Sequence, residues 1–312
     1  MALLLMAAAA LAAIGTPSTT DAVIQPQEDG IDVLALEKER NDRLTVPVSI
    51  GEHGPFPFLV DTGAQATVVS RELADRLNLN ERQPATVVGM ASSSVVDVAK
   101  VRDLSLGSRV YDIELAPLIE RDNIGEADGI LGVDSLQGQR VLLDFSARTI
   151  SVADADRLGG NRGFDIVVRA RNKLGQLIIT EAVIDGIRTS VIIDTGAQGS
   201  VGNMALAKRL RGNDLGMGAV TDINGNSRSG QYRLISSLSM GKAKIANFAI
   251  VFTDAPPFKA MGLEKRPALI LGMQEMELFK RVAIDFASSR ILFDIPDSAH
   301  WRADFAEQHS NY

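Results

Sequence analysis

Phe58-Leu59-Val60-Asp61-Thr62-Gly63-Ala64-Gln65 is an apolar run ending in an acidic turn, and Val191-Ile192-Ile193-Asp194-Thr195-Gly196-Ala197-Gln198 repeats it 133 residues later. One copy would say little, because Asp is a common turn former after a strand. Two copies offer two carboxylates that a pseudo-two-fold fold can bring face to face. The repeat is larger than the motif. At the same spacing Ile31-Asp32-Val33-Leu34 lies over Phe164-Asp165-Ile166-Val167, and Leu44 over Leu177. Ile130-Leu131-Gly132 corresponds to Ile270-Leu271-Gly272 at a spacing of 140, and Val141-Leu142-Leu143-Asp144-Phe145 to Val282-Ala283-Ile284-Asp285-Phe286 at 141. The drift puts insertions between the Asp turn and the Ile-Leu-Gly strand, where loops tolerate them. A long period in two copies means a duplicated lobe, not a solenoid.

Short apolar runs bounded by Gly, Pro, Asn or Asp dominate both repeats. Leu44–Ile50, Phe58–Val60, Ala85–Val88, Ile113–Ala116, Leu177–Val183, Val191–Ile193 and Phe248–Phe252 read as strands. Helical pattern is brief: Arg71–Leu77, Met204–Arg211 and Met273–Phe279. The expected fold is all-β, with two homologous closed β-barrel-like lobes related by pseudo-two-fold symmetry and a few short helices. The lobes are expected at 31–153 and 164–297, joined by a linker at 154–163 that carries Gly159-Gly160-Asn161. Residues 298–312 read as a surface tail, and Pro256-Pro257-Phe258 as a loop.

A chain of 312 residues supports two cores of this size, and 46% hydrophobic against 23% charged residues is the balance of a soluble globular protein. A formal charge of −7 argues against nucleic acid or an anionic membrane surface as the partner. Cysteine is absent, which removes thiol chemistry, disulfides and Cys-ligated metal. Met1–Ile14 is wholly Ala, Leu, Met and Ile. It suits the hydrophobic region of a signal peptide, although no basic residue precedes it. The reading is a leader at 1–22, a linker at 23–30, and export to the periplasm or medium.

The sequence resembles the aspartic proteases of the pepsin and retropepsin clan, over most of the chain after the leader. The resemblance rests on strand-Asp-Thr-Gly-Ala, a hairpin region, the hydrophobic-hydrophobic-Gly strand Ile130-Leu131-Gly132, and the Asp-Phe strand, all in order and twice. Ala after Asp-Thr-Gly is the retroviral form, and the chain looks most like bacterial single-chain exported retropepsin-like proteases. The resemblance implies the two-lobed acid protease fold, a polypeptide substrate and a single-chain monomer. It makes Asp61 and Asp194 the catalytic pair, with no metal or cofactor. It also implies that Thr62 and Thr195 grip each other across the lobes.

The residue chemistry agrees. Paired carboxylates can share a proton and activate water against a peptide bond. Gly63 and Gly196 allow a close approach that a Cβ would block, and Ala64 and Ala197 are small enough to admit the opposite lobe. With Ala where pepsins carry a hydroxyl donor, the pair should hold its proton more firmly and work nearer neutral pH. Gln65 and Gln198 either hold substrate backbone or face solvent, and the sequence leaves both open. Gly89, Met90 and Ser92 mark one hairpin tip, and Asn224-Gly225 marks the other. Both are read as substrate-covering flaps, with ordinary surface hairpins as the alternative. An inactive peptide-binding module of the same fold is the competing function.

Other motifs fail. Asp222-Ile223-Asn224-Gly225-Asn226 lacks the Gly and closing acid of a calcium loop. Gly216-Met217-Gly218 does not open a strand-to-helix turn, so it binds no nucleotide. His53, His300 and His309 are too scattered for a triad or metal site.

Overall fold

The two apolar runs that carry the motif alternate sides, and this alternation decides where the site forms. Phe58 and Val60 are buried in the main core, while Leu59 between them packs in a second cluster with Ala64, Val68 and Ile130. The other repeat does the same: Val191 and Ile193 enter the main core, and Ile192 packs with Ala197, Val201 and Ile270. Each run therefore has one face in its barrel and one face toward the Asp turn. The computed structural model describes residues 44–296 apart from 126, 159 and 212, together with strands Ala2–Leu4, Asp32–Ala35 and Glu37–Lys38. The rest of the leader, the 23–30 linker, the 298–312 tail, His300 and His309 lie outside the described residues.

Each repeat closes on itself. In the first, strands Leu44–Ile50, His53–Val60, Gly129–Leu131, Val68–Ser70, Arg109–Ile119 and Ser93–Leu106 follow one another around a ring. The ring is sealed where Ser49 and Ile50 pair with Ser105 and Leu104. In the second, the order is Gln176–Ile184, Ile187–Ile193, Ala268–Leu271, Val201–Gly202, Ala243–Phe252 and Ser227–Met240, sealed where Val183 and Ile184 pair with Ser239 and Leu238. Closure leaves no free edge within either ring. Strand Arg82–Val88 pairs outside the first ring, and Asn213–Thr221 outside the second. Each forms a long hairpin that projects a tip.

A third sheet joins the lobes. Its six strands run Ile166–Arg169, Arg290–Asp294, Arg281–Asp285, Arg140–Asp144, Thr149–Ala153 and Asp32–Ala35. At its centre Arg140–Asp144 and Arg281–Asp285 are antiparallel, with Leu142 opposite Ala283. These are equivalent residues of the two repeats, so the pseudo-two-fold axis passes between them.

The helices are shorter than the sequence suggests: Arg71–Arg76, Met204–Ala207 and Met273–Met276. The first two are capped, since Ser70 Oγ accepts the Leu73 N–H at 3.1 Å and Asn203 Oδ1 that of Leu206 at 2.9 Å. Pro256-Pro257-Phe258 corrects the loop reading. Pro256–Ala260 is a helix with Pro in its first turn, where the missing N–H costs nothing, and Phe258 is buried.

Candidate active site

Asp61 and Asp194 sit where the strands leave their rings. The Asp61 N–H donates to Leu131 O at 3.0 Å, and Asp194 N–H to Leu271 O at 3.1 Å, so the Ile-Leu-Gly strand of each repeat holds its own turn. Asp61 Oδ1 accepts the N–H groups of Gly63 and Ala64 at 2.8 and 2.9 Å. Asp194 Oδ1 accepts those of Gly196 and Ala197 at 2.9 and 3.1 Å. Both carboxyl groups are fully buried.

The glycines show how close the lobes come. A Cβ on Gly63 would lie 2.6 Å from both Asp194 oxygens, and one on Gly196 would overlap the Asp61 carboxyl. Each turn thus covers the opposite carboxyl with bare backbone, and any side chain would force the lobes apart. Asp194 Oδ2 takes no hydrogen bond from donors around the pair, and its neighbour is the Asp61 carboxyl. Burial first, then the Asp61 charge and the hydrogen bond shared with it, hold Asp194 well above the usual carboxylate range; the Gly196 and Ala197 N–H groups only partly oppose this. The pair therefore retains a proton in conditions where an exposed Asp has none.

Beneath the pair, Thr62 N–H donates to Thr195 Oγ1 at 3.0 Å, and Thr195 N–H to Thr62 Oγ1 at 3.2 Å. Thr62 Oγ1 donates onward to Ile193 O at 3.2 Å and Thr195 Oγ1 to Val60 O at 2.6 Å. Thr62→Val or Thr195→Val keeps the shape but strands a buried N–H and a carbonyl. Each should lower unfolding free energy by roughly 1–3 kcal/mol in urea melts.

Gln65 reaches across the lobes: its Nε2 donates to Leu174 O at 2.6 Å. The Gln198 carbonyl accepts the Gln274 N–H at 3.0 Å. Ala64 and Ala197 are buried, one in each of the two clusters flanking the pair. His53 is exposed at the start of its strand. Among the described residues no group of three His, Cys, Asp or Glu could hold a metal ion.

The hairpin tips are brought together. Met90 of the first tip is fully buried in the second lobe's cluster with Ala197, Val201 and Ile270. Ile223 of the second tip is buried in the first lobe's cluster with Ala64, Val68 and Ile130. Asp222 joins the tips. Its Oδ2 accepts the Ala91 N–H at 3.2 Å and the Ser92 hydroxyl at 2.7 Å, and its Oδ1 the N–H groups of Asn224 and Asn226, both at 3.0 Å. Ser92 Oγ in turn accepts from Asn224 and Asn226 Nδ2 at 3.2 and 3.0 Å, and Arg228 Nη2 donates to Ala91 O at 2.9 Å. Gly89 leaves room for this carboxylate, because a Cβ there would lie 2.7 Å from Asp222 Oδ2. Gly225 makes the turn at φ +76°. Sequence reasoning placed Ile223 and Asn226 in the second hairpin tip but missed the roles of Asp222 and Arg228. The repeat carried a signal: at the 133-residue spacing Ile223 falls on Met90 and Asp222 on Gly89.

A family model described as Aspartyl protease matches residues 46–135 and 180–274, more than half of the chain and both Asp turns. The chain belongs to the aspartyl protease family. No curated protein matches it. Both matched segments of this aspartyl protease end at the small helix after Ile-Leu-Gly, where each repeat carries one more acid, exposed in Asp134 and buried in Glu275. Asp134 accepts the Thr67 hydroxyl at 2.7 Å, and Glu275 accepts the Ser200 hydroxyl at 2.6 Å. Ser200 Oγ also takes the Gly272 N–H at 3.1 Å, tying the acid to the segment after Asp194. Burial pushes Glu275 from 4.5 up to about 7, its bonds to Ser200 only partly offsetting this. A carboxyl whose folded pKa is raised gives stability that is complete below the unfolded value and lost as pH climbs through the folded one. Glu275→Gln should therefore remove a loss on the order of 3 kcal/mol between pH 4.5 and 7, and thermal melts across that range measure it.

Proposed function

We propose that the protein is an aspartic endopeptidase that hydrolyses peptide bonds with water activated between Asp61 and Asp194. The observation that carries this is the facing pair: two buried carboxyls, each braced on one oxygen by two N–H groups, with Asp194 driven to keep a proton. In that arrangement the ionised carboxylate takes a proton from water as the water oxygen bonds to the scissile carbonyl carbon. The protonated carboxyl donates to the carbonyl oxygen, giving a gem-diol. As the C–N bond breaks, the carboxyl protonated by water gives its proton to the leaving nitrogen. A gem-diol hydroxyl returns a proton to the other carboxylate, restoring the pair. No covalent enzyme intermediate is needed. Purified protein should cleave an unstructured peptide pool in the presence of chelator, taking up one solvent oxygen in each new carboxylate. Binding of the pool without hydrolysis would make it the inactive module instead.

The hairpin tips are bonded to each other and pack in the clusters that hold Ala64 and Ala197 beside the pair, and in this reading they part to admit a peptide. Asp222 is the natural gate, since one carboxylate accepts from both tips. Asp222→Ala should speed hydrogen exchange at the Ala91 N–H by roughly one to two orders of magnitude, the worth of one or two lost bonds. It should also lower kcat, because the tips no longer close firmly over the reacting bond. Unchanged exchange at Ala91 would show that the remaining contacts, the buried Met90 and Ile223 with the Asn–Ser92 and Arg228–Ala91 bonds, hold the tips without Asp222.

A further inference from the structure

Gln176 opens the first strand of the second lobe and is fully buried. Its Nε2 donates to the main-chain carbonyl of Gly63, inside the Asp turn of the first lobe. A carbonyl oxygen can only accept, so the amide nitrogen must face it and the orientation of the carboxamide is fixed. The other end, Oε1, is buried and receives no hydrogen bond. Buried acceptors left in this state are uncommon and call for an explanation.

Its position supplies one. Strand alternation sets Gln176 on the same face as Ile178, and Ile178 packs in the cluster with Met90, Ala197 and Ile270 beside the Asp194 turn. Gly63, which holds the amide, is the residue whose Cα abuts the Asp194 carboxyl. The orphan acceptor is therefore held by the residue that packs against the Asp194 carboxyl, where the two lobes meet. An extended peptide admitted beside the Asp61 turn would carry N–H donors at regular intervals, which is the chemistry Oε1 lacks.

We propose that Gln176 is a substrate-positioning residue whose Oε1 accepts one main-chain N–H of the peptide near the scissile bond. The inference rests on the endopeptidase reading of the pair. Because Nε2 is anchored on Gly63, Oε1 is fixed relative to the Asp61 turn, and the bond it makes sets the peptide's register against the carboxyls. The matching position of the first repeat is Arg43, a side chain with donors and no acceptor. In sequence the acceptor is therefore present in one repeat alone, and the recognition proposed here belongs to the second lobe. It also defines a substrate class: peptides with any residue except proline at that one position, since proline has no N–H.

The test uses one well-cleaved unstructured peptide and a set in which each amide near the scissile bond is replaced in turn by an ester. Wild type should lose roughly tenfold in kcat/KM at one ester position, and proline there should be rejected. In Gln176→Leu that position should become insensitive and proline tolerated, with the parent peptide cleaved at the wild-type ester rate. If Gln176→Leu slows every peptide equally and keeps the wild-type ester pattern, Gln176 only braces Gly63, or holds a water, and the proposal falls. Should Gln176→Leu fail to fold, Gln176→Met carries the same comparison. Asp61→Asn separates the two readings: cleavage that survives it, or no cleavage by wild type, removes the endopeptidase reading and this inference with it. Cleavage lost in Asp61→Asn with an unaltered ester pattern in the Gln176 variants removes this inference alone.

Discussion

Asp61→Asn and Asp194→Asn should each lower kcat by about a thousandfold or more while making the folded protein more stable at neutral pH. The activity loss follows from the chemistry: an amide can neither take the water proton nor return one, and general acid–base steps of this kind contribute roughly 10²–10⁴. On the proposed mechanism the two carboxyls act as one unit, so the double variant should be scarcely worse than either single one. The stability gain follows from the cost of the site. Asp194 is buried, faces a second carboxyl and is held well above its usual range. A raised folded pKa means stability that is intact below the unfolded value and lost as pH rises through the folded one. Asn carries no charge to desolvate or repel, and Oδ1 can still accept the Gly196 and Ala197 N–H groups. Melts at pH 4 and pH 7 should show the two proteins converging in acid and Asp194→Asn ahead at neutral pH. Near wild-type kcat in either single variant would end the shared-pair reading, and an Asn variant less stable at pH 7 would show that the pair is not strained.

Much of this arrangement is legible in the sequence because it is local. The strand that delivers each Asp, the turn that follows it and the Ile-Leu-Gly strand are contiguous apolar and glycine patterns, and duplication doubles the signal at Phe58–Gln65 and Val191–Gln198. What sequence reasoning misses depends on partners far along the chain. Asp222 reads as a failed calcium loop until its carboxylate is seen to hold Ala91 and Ser92, 131 and 130 residues away. Gln176 is an unremarkable polar residue at a strand start until the first lobe's Gly63 carbonyl meets it. The Pro256–Ala260 helix fails for a different reason. Two prolines read as a break, although the first turn of a helix is the one helical place that accepts them.

The second large effect is expected far from the carboxyl pair, in the sheet that joins the lobes. Arg140 and Asp285 face each other across its central strands, 1% exposed each, with Arg140 Nη2 2.6 Å from Asp285 Oδ2. Arg140 Nη1 also donates to Gly160 O, and Nη2 to Asn161 Oδ1 at 3.2 Å, so one guanidinium ties both lobes to the segment between them. The equivalent pair across the pseudo-axis, Asp144 and Arg281, is not built this way. Arg281 pairs with Asp294 at 2.6 Å, and Asp144 is occupied by Ser146 and Ala147. Among the described residues the central strands thus carry one such buried ion pair, and breaking it from one side costs roughly 3–5 kcal/mol because the remaining charge is stranded. Arg140→Met should lose that much at pH 7 in urea melts. Acid should then reverse the order of events. In wild type, burial pushes Asp285 up, but its bonds from Ser288 and the Arg140 guanidinium outweigh this and hold it below its usual value. Its stabilising contribution is therefore present above the unfolded pKa and fades as pH falls through the folded one. Without Arg140 two of the influences that lower Asp285 are gone while desolvation, the largest single one, remains, so the folded pKa should rise. Lowering the pH from 7 to 4 should then restore stability to Arg140→Met by neutralising the stranded carboxylate. Asp285→Leu in the same chain should abolish that acid rescue, and an acid rescue that persists in the double variant would place the stranded charge elsewhere.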